Sequence, residues 1–186
     1  MATNPKSALR ERVGAAILNA AATALASHEQ ASMGEVAEAA GVARATLYRY
    51  FPTREALLEE LARTTVGQVA DALETARLDQ LAVDEAFLRA VRALVAIGDA
   101  FVVLERERGT AQAEEFERRV AGPLRALVER GQSSGDLRDD VPSGWLLESL
   151  LALVVSVLPS APALGAEDAV QTIASLFLYG ARGAGQ

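Results

Sequence analysis

The chain has 186 residues and a formal net charge of −7, with 51% hydrophobic and 23% charged residues. This balance is typical of a folded globular protein, and the length allows one domain or a small domain joined to a medium one. Cysteine is absent and histidine occurs once, at position 28, which excludes disulfides, thiolate chemistry and sites built on several histidines. We therefore expect a cytoplasmic protein with no cofactor.

The hydropathy of the sequence predicts neither a membrane-spanning helix nor a secretory signal. The most apolar run, LLESLLALVVSVLP at 146–159, is too short to span a bilayer and contains Glu148. The N-terminal residues MATNPKSALRER lack the apolar region of a secretory signal. The 146–159 run is therefore predicted to be a buried or interface helix.

Helical periodicity of apolar residues recurs along the chain without sustained strand alternation, so an all-α fold is predicted. The first helix should run from about Ser7 to Ala26, with Leu9 on its apolar stripe. The second should begin after Ser32, because Ser-Met-Gly-Glu matches a capping box in which Ser32 and Glu35 bond reciprocally. This second helix could belong to a helical hairpin or to a helix-turn-helix.

The next boundaries are set by turn chemistry. Gly41 should end the second helix in the left-handed conformation that a tight turn needs. A short third helix is predicted at about Arg44–Tyr50, because Pro52 prevents its continuation, and Thr53 can cap a fourth helix over Arg54–Ala76. Two short helices joined by a glycine-containing turn form a helix-turn-helix.

Longer helices are predicted in the second part of the chain. They comprise one helix over Asp84–Arg106, a break at Gly109, helices over 111–120 and 123–130, a polar loop over 132–142, and apolar helices over 143–158 and 167–181 separated by PSAPALG.

The third helix has two chemically different sides. Ala43, Leu47 and Phe51 follow one another at four-residue spacing and should face inward. The outer side combines hydrogen-bond donors, fixed cations and planar rings, which suit a polyanion: phosphates accept from Tyr, Thr and Arg, and guanine edges accept from Arg. This outer side consists of Arg44, Ala45, Tyr48 and Arg49, with Thr46 and Tyr50 on its flanks.

The charge distribution is compatible with binding of nucleic acid by the first segment. Residues 1–55 carry one net positive charge, so the acidic excess lies in the remainder. The residue spacing alone is also compatible with an alternative to nucleic-acid binding, an ordinary helical hairpin whose polar side faces water.

The run Ala31–Leu61, ASMGEVAEAAGVARATLYRYFPTREALLEEL, resembles the DNA-binding signature of TetR-type transcriptional repressors. That signature joins Val/Ile-Ala-x-x-Ala-Gly-Val to Thr-Leu-Tyr-x-aromatic-Phe, followed by Ser/Thr, a basic residue and Glu. The resemblance departs at Ala43 and Ala45, where many relatives have Ser and Gly. By position it implies phosphate contacts for Tyr48, Tyr50 and Arg54, a phosphate or base contact for Thr46, and base-facing positions for Arg44, Ala45 and Arg49.

The resemblance also implies an organisation for the whole chain. Residues 1–53 would form a helix-turn-helix DNA-binding domain, and residues 54–186 a helical domain for effector binding and dimerisation. The protein would repress transcription by binding a palindromic double-stranded operator as a homodimer. The candidate dimer surface is formed by the last two helices, through Leu146, Leu150, Leu153, Val154, Val157, Val170, Ile173, Ala174 and Phe177, unless these helices are simply interior.

A small apolar or aromatic effector is expected between the middle helices. Large apolar side chains are predicted to converge there, and clustered polar groups are absent. The candidate ligand-binding residues are Phe87, Leu94, Phe101, Leu104, Phe116 and Trp145.

Two other classes of function are alternatives to DNA binding. An enzyme would need a nucleophile–base pair, a metal cluster or a phosphate-binding loop, and none of these is recognisable in the sequence, so no enzymatic activity is expected. The principal alternative is a helical interaction or small-molecule-binding module whose helix-turn-helix no longer binds DNA.

Overall fold

The computed structural model of the chain describes residues 5–107, 110–158 and 165–182. The regular elements of this part are helices, and an isolated bridge joins Leu137 to Arg182. The all-α prediction is confirmed. The helices are α1 (Pro5–Ser27), α2 (Met33–Ala39), α3 (Arg44–Tyr50), α4 (Arg54–Ala76), α5 (Val83–Ile97), α6 (Asp99–Glu107), α7 (Thr110–Phe116), α8 (Gly122–Ser134), α9 (Ser143–Val157) and α10 (Ala166–Ala181).

The helix-turn-helix of α2 and α3 has the predicted local chemistry. The Ser32 hydroxyl accepts a hydrogen bond from the Glu35 N–H at 3.2 Å, and the Ser32 N–H donates to the Glu35 carboxylate at 2.7 Å. Gly41 has φ 65°, the left-handed conformation that lets the chain turn towards α3. The Thr53 hydroxyl caps α4 by accepting from the Ala56 N–H. Local capping therefore sets these helix boundaries.

A compact core holds α1, α2 and α3 against the start of α4. On α1 the buried side chains include Ile17 and Leu25, whereas Leu9, predicted to lie on the inward stripe, is 58% exposed. The same cluster contains Leu57 on α4 and Val103 on α6. Packing of the first unit therefore extends beyond the predicted division between residues 53 and 54.

The single helix predicted over Asp84–Arg106 is two helices. Gly98 adopts φ 64° and ψ −135° between α5 and α6, a conformation open to glycine but not to other residues. The break redirects the chain, so that the Arg106 guanidinium donates to the Leu25 carbonyl at the end of α1. Helix α6 thus contacts the N-terminal helices.

Helices α7 and α8 form one continuous rod instead of the two predicted helices. A π turn at Glu117–Ala121 joins them, and the Gly122 N–H donates to the Glu117 carbonyl. Pro123 has no N–H to give to the helix, which explains a local change in hydrogen-bond spacing. Helix α8 ends at Ser134, with Gly135 as its C-cap, inside the predicted polar loop. The predicted break at Gly109 and the 159–164 part of the last loop lie outside the described residues.

A second, larger core joins α4 to α10. The rings of Phe87 on α5 and Phe177 on α10 lie 5.0 Å apart between centroids. Helices α8, α9 and α10 add further buried side chains to this cluster. Across the described ranges, the helices lack the combination of length and apolar character that crossing a bilayer requires.

Candidate nucleic-acid interface

Helix α3 is held by its inner side and presents its outer side to solvent. Leu47 and Phe51 are buried in the N-terminal core. Arg44, Ala45 and Arg49 are exposed on the outer side. Helix α3 therefore presents these three base-facing candidates to solvent and uses its other side only for packing.

The two arginines and Tyr48 on this helix are available to a partner. Tyr48 is 47% exposed, a large fraction for an aromatic side chain in a folded protein. The side chains of Arg44 and Tyr48 make no hydrogen bond or ion pair with any residue that the structure describes. The Arg49 guanidinium lies 5.8 Å from the centroid of the Tyr50 ring and makes no side-chain hydrogen bond or ion pair with the described residues. Unpaired, exposed donors of this kind suit a polyanionic ligand.

Tyr50 and Thr46 lie on the flanks of α3, as the helical spacing predicts, and both are half-buried. The Tyr50 ring is approached by two guanidinium groups, those of Arg10 and Arg49, each 5.8 Å from its centroid. Tyr50 also lines a cleft of about 520 Å³ between α1 and α4. The Tyr50 ring therefore makes cation–π contacts with two arginines at the end of α3.

Arg54 is used inside the domain, in contrast to the predicted phosphate contact. One terminal nitrogen donates to the Ala31 carbonyl at 2.5 Å, and the other donates to the Glu29 carbonyl at 2.9 Å. Both carbonyls belong to the segment between α1 and α2. Arg54 therefore ties the first turn of α4 to the helix-turn-helix, a role that the phosphate contact implied by family position did not anticipate.

The start of α3 lacks a side-chain cap. Ala43 has the extended conformation of an N-cap residue, φ −64° and ψ 144°, but no side-chain oxygen to accept a hydrogen bond. The absence of a cap costs about 1 kcal/mol relative to Ser at this position. Helix α3 is consequently held by the burial of Leu47 and Phe51.

The capping box at the start of α2 has an electrostatic signature. The Ser32 backbone N–H, and then its hydroxyl, hold the pKa of the Glu35 carboxyl below its ordinary value, because both hydrogen bonds favour the ionised form. The ionised carboxylate in turn fixes the entry into the helix-turn-helix.

The residues predicted to bind an effector fall into two groups. Five of them, Phe87, Leu94, Phe101, Leu104 and Phe116, are buried in the larger core. Trp145 is 72% exposed on the first turn of α9, so it does not lie between the middle helices and the prediction for it is wrong. The described residues contain no group of three or more His, Asp and Glu that could hold a metal ion.

The last two helices use most of the predicted dimer residues within the chain itself. Exposed large apolar side chains lie instead on their outward sides, and we call Trp145, Leu176 and Tyr179 the outer patch. These three are 72%, 55% and 81% exposed. In the sequence, the three-residue spacing of Leu176 and Tyr179 was the feature that could have predicted the outer patch. Buried within the protomer are Leu146, Leu150, Val154, Val170, Ile173, Ala174 and Phe177.

Comparison with known proteins agrees with this arrangement. The profile described as "Bacterial regulatory proteins, tetR family" matches residues 17–61, which include α2 and α3. The HTH-type transcriptional repressor LfrR of Mycolicibacterium smegmatis is 34% identical over 149 residues, which cover 80% of this chain and 79% of LfrR. The HTH-type transcriptional regulator NfxB of Pseudomonas aeruginosa is 27% identical over 175 residues, covering 89% of this chain and 92% of NfxB.

The three-dimensional similarity extends beyond the matched segment. A crystal structure of LfrR in complex with proflavine superimposes with a TM-score of 0.72 and 31% identity, covering 92% of this chain and 97% of LfrR. The likeness thus includes the C-terminal helices as well as the helix-turn-helix. The chain belongs to the tetR family of bacterial regulatory proteins and is a DNA-binding regulator of transcription.

Proposed function

We propose that the protein represses transcription by binding a palindromic operator as a homodimer, and that a small apolar or aromatic molecule releases it. The observation that carries the proposal is the outer side of α3, where Arg44, Tyr48 and Arg49 are exposed without a hydrogen bond or ion pair to the described residues. A module that no longer bound DNA would have no evident use for three such side chains on one short helix.

Roles on the DNA follow from side-chain chemistry. Arg44 and Arg49 read base edges, since a guanidinium can bond guanine bidentately. Tyr48 and Tyr50 donate to phosphates and set the register, and Thr46 donates to a phosphate or a base. Ala45, small and exposed, allows α3 to approach the groove closely. Arg54 acts indirectly, by holding the segment before α2.

The outer patch is the proposed dimer contact. The Arg138 N–H donates to the Ala181 carbonyl at 2.7 Å, which holds the segment leading into α9 at the end of α10. Trp145 and Tyr179 therefore lie at the same end of this helix pair. A cluster of exposed apolar residues marks an interaction site, and pairing about a two-fold axis is the commonest solution. Two-fold symmetry also explains why the operator would be palindromic.

The effector part of the proposal rests on the buried apolar side chains and on α6. Phe101 and Leu104 lie in the larger core, whereas Val103, their neighbour on α6, lies in the core of the N-terminal helices. A ligand that shifts Phe101 or Leu104 therefore moves α6, which also packs against α1. An apolar or aromatic molecule matches the chemistry of the buried side chains proposed to contact it, which are Phe87, Leu94, Phe101, Leu104 and Phe116.

Proflavine, a planar aromatic molecule, is the first compound to test as an effector, because a crystal structure of the relative LfrR contains it. We propose the same chemical class for this chain. We also retain the functional division into a DNA-binding unit, 1–53, and an effector and dimerisation unit, 54–186, although packing crosses that boundary at Leu57 and Val103.

Selection of bound duplexes from a random pool tests the proposal as a whole. The expected product is a pair of inverted half-sites whose centres are about one helical turn apart, roughly 34–36 Å, or a multiple of it. Recovery of unrelated sequences after repeated rounds at a stated salt concentration would support the helical interaction module instead.

A further inference from the structure

Gly34, in the first turn of α2, lies directly beneath the guanidinium of Arg44. A β-carbon placed on Gly34 would lie 2.5 Å from Nη2, 2.9 Å from Cζ and 3.1 Å from Nε of Arg44. These are the three nearest atoms, and all belong to that one side chain. Ordinary carbon contacts are about 3.5–4.0 Å, so the guanidinium occupies the space that a side chain at position 34 would need.

The backbone gives no other reason for glycine at this position. Gly41 and Gly98 have positive φ, whereas Gly34 does not and lies within a regular helix. Glycine is less favourable than alanine inside a helix, because it loses more backbone freedom on folding. The absence of a side chain at Gly34 is therefore explained by the approach of Arg44.

The guanidinium of Arg44 is not held by any other polar partner in the three described ranges. Its nitrogens form no hydrogen bond or ion pair with the residues there. The nearest acidic neighbour of Gly34 along α2, Glu35, is committed to the Ser32 N–H at 2.7 Å. The close approach of the guanidinium to the Gly34 position therefore limits where Arg44 can reach.

We infer that Gly34 is a positioning residue for DNA recognition, whose empty side-chain position seats the Arg44 guanidinium. The inference rests on the proposed function, in which Arg44 reads a base edge. A methyl group at position 34 would push the guanidinium outward by roughly 1 Å, the gap between 2.5 Å and an ordinary contact. Because a bidentate contact needs both nitrogens in place, such a shift alters which base pair is preferred.

The test compares Gly34→Ala with Gly67→Ala in the full chain. Gly67 is a matched control: it lies inside α4, and a β-carbon there meets nothing within 4 Å. Binding to the duplex selected by the wild type and the thermal midpoint are measured for both variants. Gly34→Ala should raise the dissociation constant about three- to tenfold, part of what a well-placed bidentate arginine contributes. Its thermal midpoint should stay equal to or above that of the wild type, as for Gly67→Ala.

Arg44→Ala, alone and combined with Gly34→Ala, completes a double-mutant cycle. If Gly34 acts through Arg44, Gly34→Ala should have no further effect once Arg44 is alanine. An equal loss in both backgrounds, or binding as tight as that of Gly67→Ala, overturns the inference while leaving DNA binding intact. A wild type that binds no duplex overturns the proposed function, and the inference with it.

Discussion

The guanidinium of Arg54 is joined to the carbonyl oxygen of Ala31 by a hydrogen bond of 2.5 Å. This bond links the first turn of α4 to the residue that precedes the cap of α2. Since α4 runs on into the larger core, the bond is one of the points at which the position of the helix-turn-helix is set by the rest of the chain.

The first prediction concerns Arg54→Ala. Loss of the bonds to Ala31 and Glu29 should lower the free energy of unfolding by about 1–3 kcal/mol, because the carbonyls lose a charged donor. The slope of log affinity against log salt should not change. Urea unfolding and binding titrations at several salt concentrations measure the two effects.

Arg63→Ala is the control for Arg54, since Arg63 is exposed on α4 and, among the described residues, pairs with the neighbouring Glu60 alone. Its effect on stability should be at most about 1 kcal/mol. A salt slope reduced by about one unit in Arg54→Ala, with unchanged stability, would instead indicate a phosphate contact.

The second prediction concerns the outer patch. Leu176→Asp should give a folded monomer, because a charge on the proposed contact opposes association but leaves the protomer core intact. Phe177→Asp should unfold the chain, since Phe177 is buried against Phe87. Sedimentation velocity and circular dichroism distinguish the two outcomes.

Trp145 provides an internal probe for the same prediction, because it is the only tryptophan in the chain and is exposed in the isolated protomer. Its emission should lie at shorter wavelength in the wild-type dimer than in Leu176→Asp. Gln68→Asp, exposed on α4, should leave the dimer unchanged. A wild type that sediments as a monomer at micromolar concentration refutes this part of the account.

The third prediction is a pH dependence at the start of α2. The pKa of Glu35 is lowered in the folded state by the hydrogen bonds from Ser32, so its contribution is present above the unfolded value of about 4.5. That contribution is lost as pH falls through the lower folded value. The stability difference between wild type and Glu35→Gln should therefore be present at neutral pH and shrink in acid. Urea unfolding at a series of pH values measures it.

Ser32→Ala tests whether this dependence comes from the capping box. It should cost about 1 kcal/mol at neutral pH and reduce the pH-dependent part of the Glu35→Gln effect without removing it, because the backbone N–H at position 32 still donates to the Glu35 carboxylate. A difference between wild type and Glu35→Gln that is constant with pH would assign Glu35 another role.

The fourth prediction concerns the effector. Proflavine should raise the thermal midpoint of the free protein, because a ligand of the folded state stabilises it by mass action. It should also lower affinity for the selected duplex by about 5- to 150-fold, the usual range of coupling between two sites. Phe101→Ala should alter the thermal shift. Proflavine also binds DNA, so competition must be checked with a duplex-binding protein of another family.

The DNA-binding part of the chain was largely predictable because its signals are local. The Ser32–Glu35 cap, the turn at Gly41 and the stop at Pro52 lie within or beside the elements they define. Helices α3 and α4 accordingly have the predicted bounds. The seat of Arg44 on Gly34 had no such signal, because it depends on how α2 and α3 cross.

The C-terminal part was less predictable because its contacts join distant segments. A continuous apolar pattern concealed the break at Gly98, and the apolar sides of α9 and α10 did not reveal which faces the protomer uses itself. Trp145 looked like a core residue from its chemistry, and only the packing of α9 places it outside. Arg54 looked like a phosphate ligand from family position, whereas the carbonyls it bonds lie more than twenty residues earlier.

The central claim, that the outer side of α3 reads duplex DNA, is tested most directly by titrating Arg49→Ala against the selected duplex and a shuffled duplex. Arg89→Ala, exposed on α5 and paired with Glu85, controls for the loss of one positive charge. The account predicts that Arg49→Ala weakens binding to the selected duplex by about 1–3 kcal/mol and binding to the shuffled duplex much less. Equal losses for the two arginine variants on both duplexes, or a wild type that does not distinguish the duplexes, would contradict it.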